Sequence, residues 1–419
     1  MIKFFGGAPS PATTLPFGML GGERRPGPPT PTKGIEAAVL PSNKRTKTGV
    51  LRHRGPQWGA ASAALAGLLL ATTGCGSDQA VPESAAPPVP EDLECFSGSL
   101  TGAGSSAQEN AMTTWIAGYQ SACEDSRVYY NSIGSGGGRS QFIDGAVAFA
   151  GTDAAMDPEE NADARERCGG SNVLNLPAYV VPIAVVYKLE GVESLNLPPE
   201  TLAKIFNQEI TRWNDPEIAE ANPDADLPDM RITPVNRSDD SGTTENFTNY
   251  LNAVAPEAWP HEPSGQWPIV PIESAQGSSG IADTVGRAQG SISYVEMSHA
   301  HGLPKANIGV GGEFVEISSE AAAQVVANSP QREENASEYD LALDLEYDTT
   351  EAGSYPLVLV SYEVVCQDYP DDSQAEKVKA FLRYVVSPEG QSAASEETGS
   401  APVNDDLRAK LLESISAIS

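Results

Sequence analysis

Histidine is close to missing from this chain, with four in 419 residues. The five cysteines stand at spacings that match no zinc motif. These shortages argue against a metal centre, and nothing in the chain asks for a cofactor. Long apolar runs are lacking too. The best candidate, residues 58–71, falls short of the roughly 20 apolar residues that a membrane-spanning helix needs. Basic residues are the third shortage, 26 against 57 acidic ones. Nine of the basic and two of the acidic residues precede Cys75, which leaves 17 against 55 and a net charge of −38 for the remainder. No basic stripe is left to neutralise a phosphate backbone, so nucleic acid is excluded as a partner. The acidic surface reads as a solubility or salt adaptation.

The N-terminal part is set aside from the fold. Arg52, His53 and Arg54 precede the small and apolar run 58–71, which ends at Thr72-Thr73-Gly74-Cys75. A basic stretch, a short apolar stretch and a small residue before cysteine make a bacterial signal peptide. It resembles a lipoprotein signal, in which cleavage precedes the cysteine and the thiol is acylated, although Leu is commoner than Thr72 at that place. Residues 1–74 are therefore expected to be an N-terminal extension and signal peptide, Cys75 the lipidation site, and 75–94 a lipidated, Ser/Pro/Ala-rich tether. The lipid would hold the protein at the outer face of the cell membrane. Four cysteines remain, Cys95, Cys123, Cys168 and Cys366. An even number in a secreted chain suggests two disulfides. Three connectivities are open, and the favoured one pairs Cys95 with Cys123 and Cys168 with Cys366.

Beyond Phe96, strands and helices alternate as in an α/β protein with a mainly parallel sheet. Strands are expected at 99–103, 128–133 and 146–150. Met112, Trp115, Ile116 and Tyr119 keep helical spacing between the first two, and Phe142 and Ile143 belong to a helix between the second and third. Alternation of this kind gathers the loops that follow the strands at one sheet edge, where open α/β sheets bind ligands. Two extended apolar runs, 179–187 and 355–365, look alike and are candidates for paired crossings between two lobes. A chain of about 340 residues after Cys75 is long enough for two. The first lobe would then be discontinuous, 95–180 plus 355–419, with the second at 181–354.

Four strand-to-helix loops carry hydroxyls, glycines and charge. Residues 236–247 read Asn-Arg-Ser-Asp-Asp-Ser-Gly-Thr-Thr-Glu-Asn-Phe, and Phe247, Tyr250 and Leu251 continue at helical spacing. Ser241 stands where an N-cap belongs, so the free N–H groups of the first turn and the helix dipole favour an anion. Arg237 adds a planar fork of donors that Asp239 can brace from behind. In Thr101-Gly-Ala-Gly-Ser-Ser-Ala-Gln108, Ser105 or Ser106 stands at a helix start, with Gln108 and Glu109 three residues on as in a capping box. Ile133-Gly-Ser-Gly-Gly-Gly-Arg139 offers Ser135 and a nest of backbone N–H groups. Gly151-Thr-Asp153 follows a strand. Any one of these loops is an ordinary polar turn, but the four in this order specify a site for a small tetrahedral oxyanion.

With these loops in view, the chain from about Leu100 onward resembles the phosphate-binding subunits of bacterial ABC phosphate importers. The likeness extends to Asn207-Gln-Glu-Ile-Thr-Arg-Trp-Asn-Asp-Pro216, to 290–296 and to 355–366. It implies a two-lobed type II periplasmic binding protein fold, mixed sheets flanked by helices, with the ligand in the interlobe cleft. It implies Ser106, Ser135, Asp153, Arg237, Ser241, Gly242 and Thr243 as phosphate contacts, the backbone N–H of Ala107 as another, and Asp239 as the residue bracing the arginine. Where Thr-Phe is frequent in the family this chain has Ser106-Ala107, which removes some aromatic cover. Residues 207–216 are expected to serve the fold or the permease. Residues 276–280, another glycine-rich helix start, are a further contributor to consider. The partners implied are inorganic phosphate, permease subunits with a cytoplasmic ATPase, and the membrane through the lipid, for a monomeric, non-enzymatic protein.

Asp153 gives such a site its selectivity, because an ionised carboxylate only accepts hydrogen bonds. Phosphate retains a proton to give it and sulfate at neutral pH does not. A secreted phosphatase or phosphotransferase is the alternative, with Ser135 or Ser241 as nucleophile, but the His/Asp clusters for two metals are missing. A tethered phosphate sensor without transport would carry the same site. One start-site prediction belongs to the sequence alone. Residues 1–49 resemble neither a core nor a signal, so N-terminal analysis of the unprocessed precursor should find the chain beginning near Val50 or Leu51; a start at Met1 would overturn this.

Overall fold

The computed structural model describes residues 89–333, 335 and 337–419. The signal segment, Cys75 and most of the tether lie outside the described residues. The first part runs β1 (Gly98–Gly104), α1 (Glu109–Ala122), β2 (Ser126–Ser132), α2 (Ser135–Ile143), β3 (Phe149–Thr152) and α3 (Pro158–Arg167). A long strand, β4 (Val173–Tyr187), leads to β5 (Asn196–Leu197), α4 (Pro199–Phe206), α5 (Pro216–Ala221), β6 (Thr233–Arg237), α6 (Gly242–Val254), β7 (Glu273–Ala275), α7 (Gly277–Arg287) and β8 (Ser291–Glu296). After a single turn of 3₁₀ helix at Met297–Ala300 come β9 (Asn307–Val310), β10 (Glu313–Val315) and α8 (Ser319–Asn328). The chain closes with β11 (Val358–Cys366), α9 (Asp372–Val385), α10 (Pro388–Thr398) and α11 (Asp405–Ser416).

One sheet of eight strands, ordered β2-β1-β3-β11-β4-β8-β6-β7, runs through the molecule, beside a small sheet β10-β9-β5. The expectation of a mainly parallel sheet needs correction. The outer pairings β2-β1-β3 and β8-β6-β7 are parallel, but every ladder in the middle is antiparallel. The cause is connectivity: β8 and β11 each reach β4 only after a long excursion of the chain and not through a single βαβ crossover, the unit that makes successive strands parallel. The two similar apolar runs do pair, with Val358 opposite Pro182 at one end and Cys366 opposite Val173 at the other. All fifteen residues of β4 are buried, as a strand covered on both faces must be. Pro177 lacks a ladder donor and lies where the β4–β11 register shifts, one of the few places a central strand admits proline. The third strand begins three residues later than expected, at Phe149, because the chain is still leaving α2 there, with the Ala146 N–H on the Gln141 carbonyl.

Helices cover the sheet with the faces their spacing predicts. Met112, Trp115 and Tyr119 of α1 are buried, and the Trp115 indole N–H donates to the Gly390 carbonyl at 2.8 Å. On the far side, Phe206, Phe247, Trp267 and Tyr294 form an aromatic cluster with Phe247 and Tyr294 stacked at 4.2 Å. Trp213, from the 207–216 segment, is buried and donates to the Gly290 carbonyl at 3.0 Å, which gives that segment a fold role. The disulfides are Cys95–Cys123 and Cys168–Cys366, the favoured connectivity.

Glu363 departs from these rules. It sits on β11 opposite Gly151 of β3, buried, and neither carboxyl oxygen has a well-formed hydrogen bond. Burial pushes its carboxyl well above the ordinary value, and the adjacent Gln108 amide offsets only part of that. A raised folded-state value means that its contribution is fully favourable below the unfolded value of about 4.3 and is lost as pH rises through the folded value. Glu363→Gln should therefore melt close to the parent at about pH 4 and above it at about pH 8, with the gap widening in between. Calorimetric melts across that range test this; a gap independent of pH would show that Glu363 does not titrate on unfolding.

Candidate functional site

The four loops meet. β1 and β3 run one way and β6 the other, and their C-terminal ends approach the middle of the long strand β4 from opposite directions, where α2 and α6 begin with their N-termini toward the same place. In α6 the Ser241 hydroxyl caps the helix by accepting the Thr244 N–H at 3.2 Å, as its spacing predicted. α2 starts at Ser135 after Gly134, which has φ of 95° and no side chain to cap with. The capping box expected at Ser105 or Ser106 does not form: Gln108 is the N-cap of α1 and makes no side-chain cap. The Ser105 hydroxyl instead accepts the Ala107 N–H at 3.0 Å, and Tyr130 donates to the Ser105 carbonyl at 3.0 Å. This folds the loop back on itself and turns the Ser106 hydroxyl across the sheet edge.

There the Ser106 hydroxyl oxygen accepts from a guanidinium N–H of Arg237 at 3.0 Å and from the Ser278 N–H at 3.1 Å. Arg237 is held from behind as a fork. Its Nε donates to Asp239 Oδ1 at 2.8 Å and its Nη2 to Asp239 Oδ2. The Gly277 N–H also reaches Asp239 Oδ1, at 3.1 Å. Burial opposes the charge on Asp239, but Arg237 and that N–H outweigh it and hold the carboxyl below its ordinary value. The pair is thus a fixed dipole with the free edge of the guanidinium turned toward Ser106.

Asp153 is the other pole. It is 2 % exposed and collects hydroxyls from three elements. Ser135 of α2 and Thr243 of α6 donate to Oδ2 at 3.4 and 3.2 Å, and Ser361 of β11 donates to Oδ1 at 2.5 Å. Asn246, one turn into α6, donates to its carbonyl at 2.7 Å. Gly242 is required by this approach, since a Cβ there would stand 2.7 Å from both Asp153 Cβ and the Ser135 hydroxyl. Below the site Tyr294 bonds the Thr244 hydroxyl at 2.7 Å and links α6 to the aromatic cluster; burial pushes its phenol up to about 12.

Ser106, Ser135, Asp153, Arg237, Gly242 and Thr243 are therefore brought together, with Ser241 and Asp239 in supporting positions. The Ala107 N–H is occupied by Ser105. Three participants were not singled out from the sequence. Ser278 lay within a stretch noted only as a contributor. Ser361 carries no signal beyond being a lone hydroxyl in an apolar run. Arg139, also buried, was quoted as the end of a loop and given no role. It bonds Glu160 at 2.7 Å and Thr152 at 2.9 Å, and stands 3.6 Å from Asp240 on the opposite loop. Burial alone would lower its basicity, but Glu160, Glu245 and Asp240 raise it. Its charge is accordingly consumed by carboxylates. Among the described residues no group of three or more His, Cys, Asp or Glu is placed to hold a metal ion.

Comparison with known proteins agrees with this geometry. Residues 81–389 match the PBP superfamily domain. Phosphate-binding protein PstS 3 of Mycobacterium tuberculosis is 38% identical over 371 residues, covering 86% of this chain and 99% of that protein. Phosphate-binding protein PstS of Xylella fastidiosa is 30% identical over 334 residues, covering 78% and 86%. The crystal structure of a phosphate-binding protein from Stenotrophomonas maltophilia superposes with a TM-score of 0.61 at 18% identity, over 76% of this chain and 94% of its own, a likeness of fold. The α/β fold, with its large mixed sheet flanked by helices, is that of a type II periplasmic binding protein. By sequence and by fold, this chain belongs to the PstS-type phosphate-binding proteins.

Proposed function

We propose that the protein binds inorganic phosphate outside the cytoplasmic membrane and delivers it to an ABC phosphate importer. One observation carries this: Ser135 and Thr243 aim their hydroxyls at one buried acceptor, Asp153, while Arg237 reaches Ser106, all from loops far apart in the chain. The hydroxyls and N–H groups suit oxyanion oxygens, and the helix N-termini of α2 and α6 add positive potential. Ser135 and Thr243 would turn their protons to the ligand, and Asp153 Oδ2 would receive the ligand's own. A fully ionised oxyanion would face that carboxylate with no proton between them, and such a mismatch in a buried site costs roughly 10⁴ to 10⁵ in selectivity.

The two ends of the large sheet would act as lobes, 95–180 with 355–419 on one side and 181–354 on the other, joined through β4 and β11. Ligand contacts come from both, so binding and closure are coupled, and the closed form is what a permease would read. A lipid on Cys75 would hold a monomer beside that permease, with ATP hydrolysed on the cytoplasmic side. The part of the protein is binding and not catalysis: Ser135, Thr243 and Ser361 bond a carboxylate, Ser106 a guanidinium, Ser241 is spent as a helix cap, and none of the five is paired with a histidine base.

Calorimetric titration of the protein, stripped of phosphate, tests the proposal near neutral pH. Phosphate should bind tightly and sulfate give no heat. Asp153→Asn should weaken phosphate by roughly 10- to 100-fold, as loss of one charged hydrogen bond implies, and admit sulfate. No phosphate binding by the folded, stripped protein would sink the transport reading.

A further inference from the structure

Asp153 can discriminate a protonated oxyanion only while one of its oxygens faces the ligand and only accepts. A free carboxylate turns about its own bond and offers either oxygen. In this structure it is not free, and the residue that holds it lies outside the four loops. The Ser361 hydroxyl donates to Oδ1 at 2.5 Å, whereas both cleft hydroxyls, Ser135 and Thr243, address Oδ2. The division of labour follows from the sheet. Thr152 pairs with Tyr362 in the antiparallel β3–β11 ladder, and one step further along that register Asp153 stands opposite Ser361. The β4–β11 register shifts between Ser361, opposite Tyr179, and Tyr362, opposite Pro177, with Ala178 of β4 as the extra residue of the bulge. Ser361 is fully buried and bonds to no other side chain. Its hydroxyl is a donor whose single acceptor is the selecting carboxylate.

We propose that Ser361 is a specificity-determining positioning residue: by occupying Oδ1 it fixes Asp153 with Oδ2 toward the ligand, so that the oxygen facing the anion is held in place to accept its proton. This rests on the phosphate-binding reading above. A hydrogen bond to an ionised carboxylate stabilises its charged form, and in a desolvated site that donor stands in for the missing water. With it removed, the carboxylate is free to turn about its own bond, and no single oxygen is held toward the ligand as the acceptor of its proton.

The test is a double-mutant cycle on the stripped full chain, with inorganic phosphate and sulfate as probes and affinities followed into the millimolar range. Ser361→Ala should lower phosphate affinity roughly tenfold or more and reduce the phosphate-to-sulfate preference by a larger factor. In an Asp153→Ala background the same substitution should change neither by more than about twofold, because the residue it acts through is gone. Ser361→Cys keeps the shape and loses the strong donor, so it should repeat the loss and separates it from a packing defect if the alanine variant melts early. An equal loss in both backgrounds, or full phosphate preference in Ser361→Cys, would make Ser361 a packing residue and overturn the proposal. Failure of the parent to bind phosphate would instead fall on the functional reading, and the two failures are told apart by the first titration.

Discussion

The antiparallel pairing of β4 with β11 is the constraint on which the rest of this molecule depends. It is the seam that turns two groups of parallel strands into one sheet, and its residues are buried along both strands. Burying each Val, Leu or Ile of such a seam stabilises the fold by about 1.5–3 kcal/mol, so its register is strongly specified. The functional centre hangs on that register. A slip of one residue would move Ser361 away from Asp153 and the Asp153 loop away from α6.

The charge of the chain and the chemistry of the site pull in opposite directions, and distance decides between them. A net −38 beyond Cys75 repels an anion at long range. Screening limits that repulsion to roughly 8 Å in saline, whereas the donors of Arg237, Ser106 and the helix N-termini act at hydrogen-bond distance. Asp239 completes the compensation by ordering Arg237, and Arg139 is withheld from the ligand because Glu160 and Asp240 absorb its charge. The site is thus short of net positive charge and relies on aimed donors, which suits selection by proton inventory better than selection by charge.

Much of this was legible in the residues. Hydroxyl, glycine and helical spacing after Arg237 identify Ser241 as a cap, because capping is a local event set by a few neighbouring residues. The cap expected at Ser105 or Ser106 fails, since the Ser106 hydroxyl is claimed by Arg237 from 131 positions away, a distance no local pattern reports. Strand direction failed for the same reason: alternation of strands and helices says nothing of a strand that returns from the far end of the chain. Ser361 was silent because a single serine in a strand of apolar residues looks like any tolerated polar residue until the register is known. Glu363, two residues on, was likewise passed over.

The two disulfides carry one more consequence. Cys95–Cys123 and Cys168–Cys366 both lie in the part of the chain that supplies Asp153 and Ser135, and among the described residues 181–354 have none. Covalent reinforcement is therefore one-sided. The part of the chain that bears Asp153 is cross-linked, while the part that bears Arg237 is held by packing, hydrogen bonds and ion pairs without a covalent tie. A reductant therefore acts directly on the Asp153 side of the site and has no bond to cut on the Arg237 side.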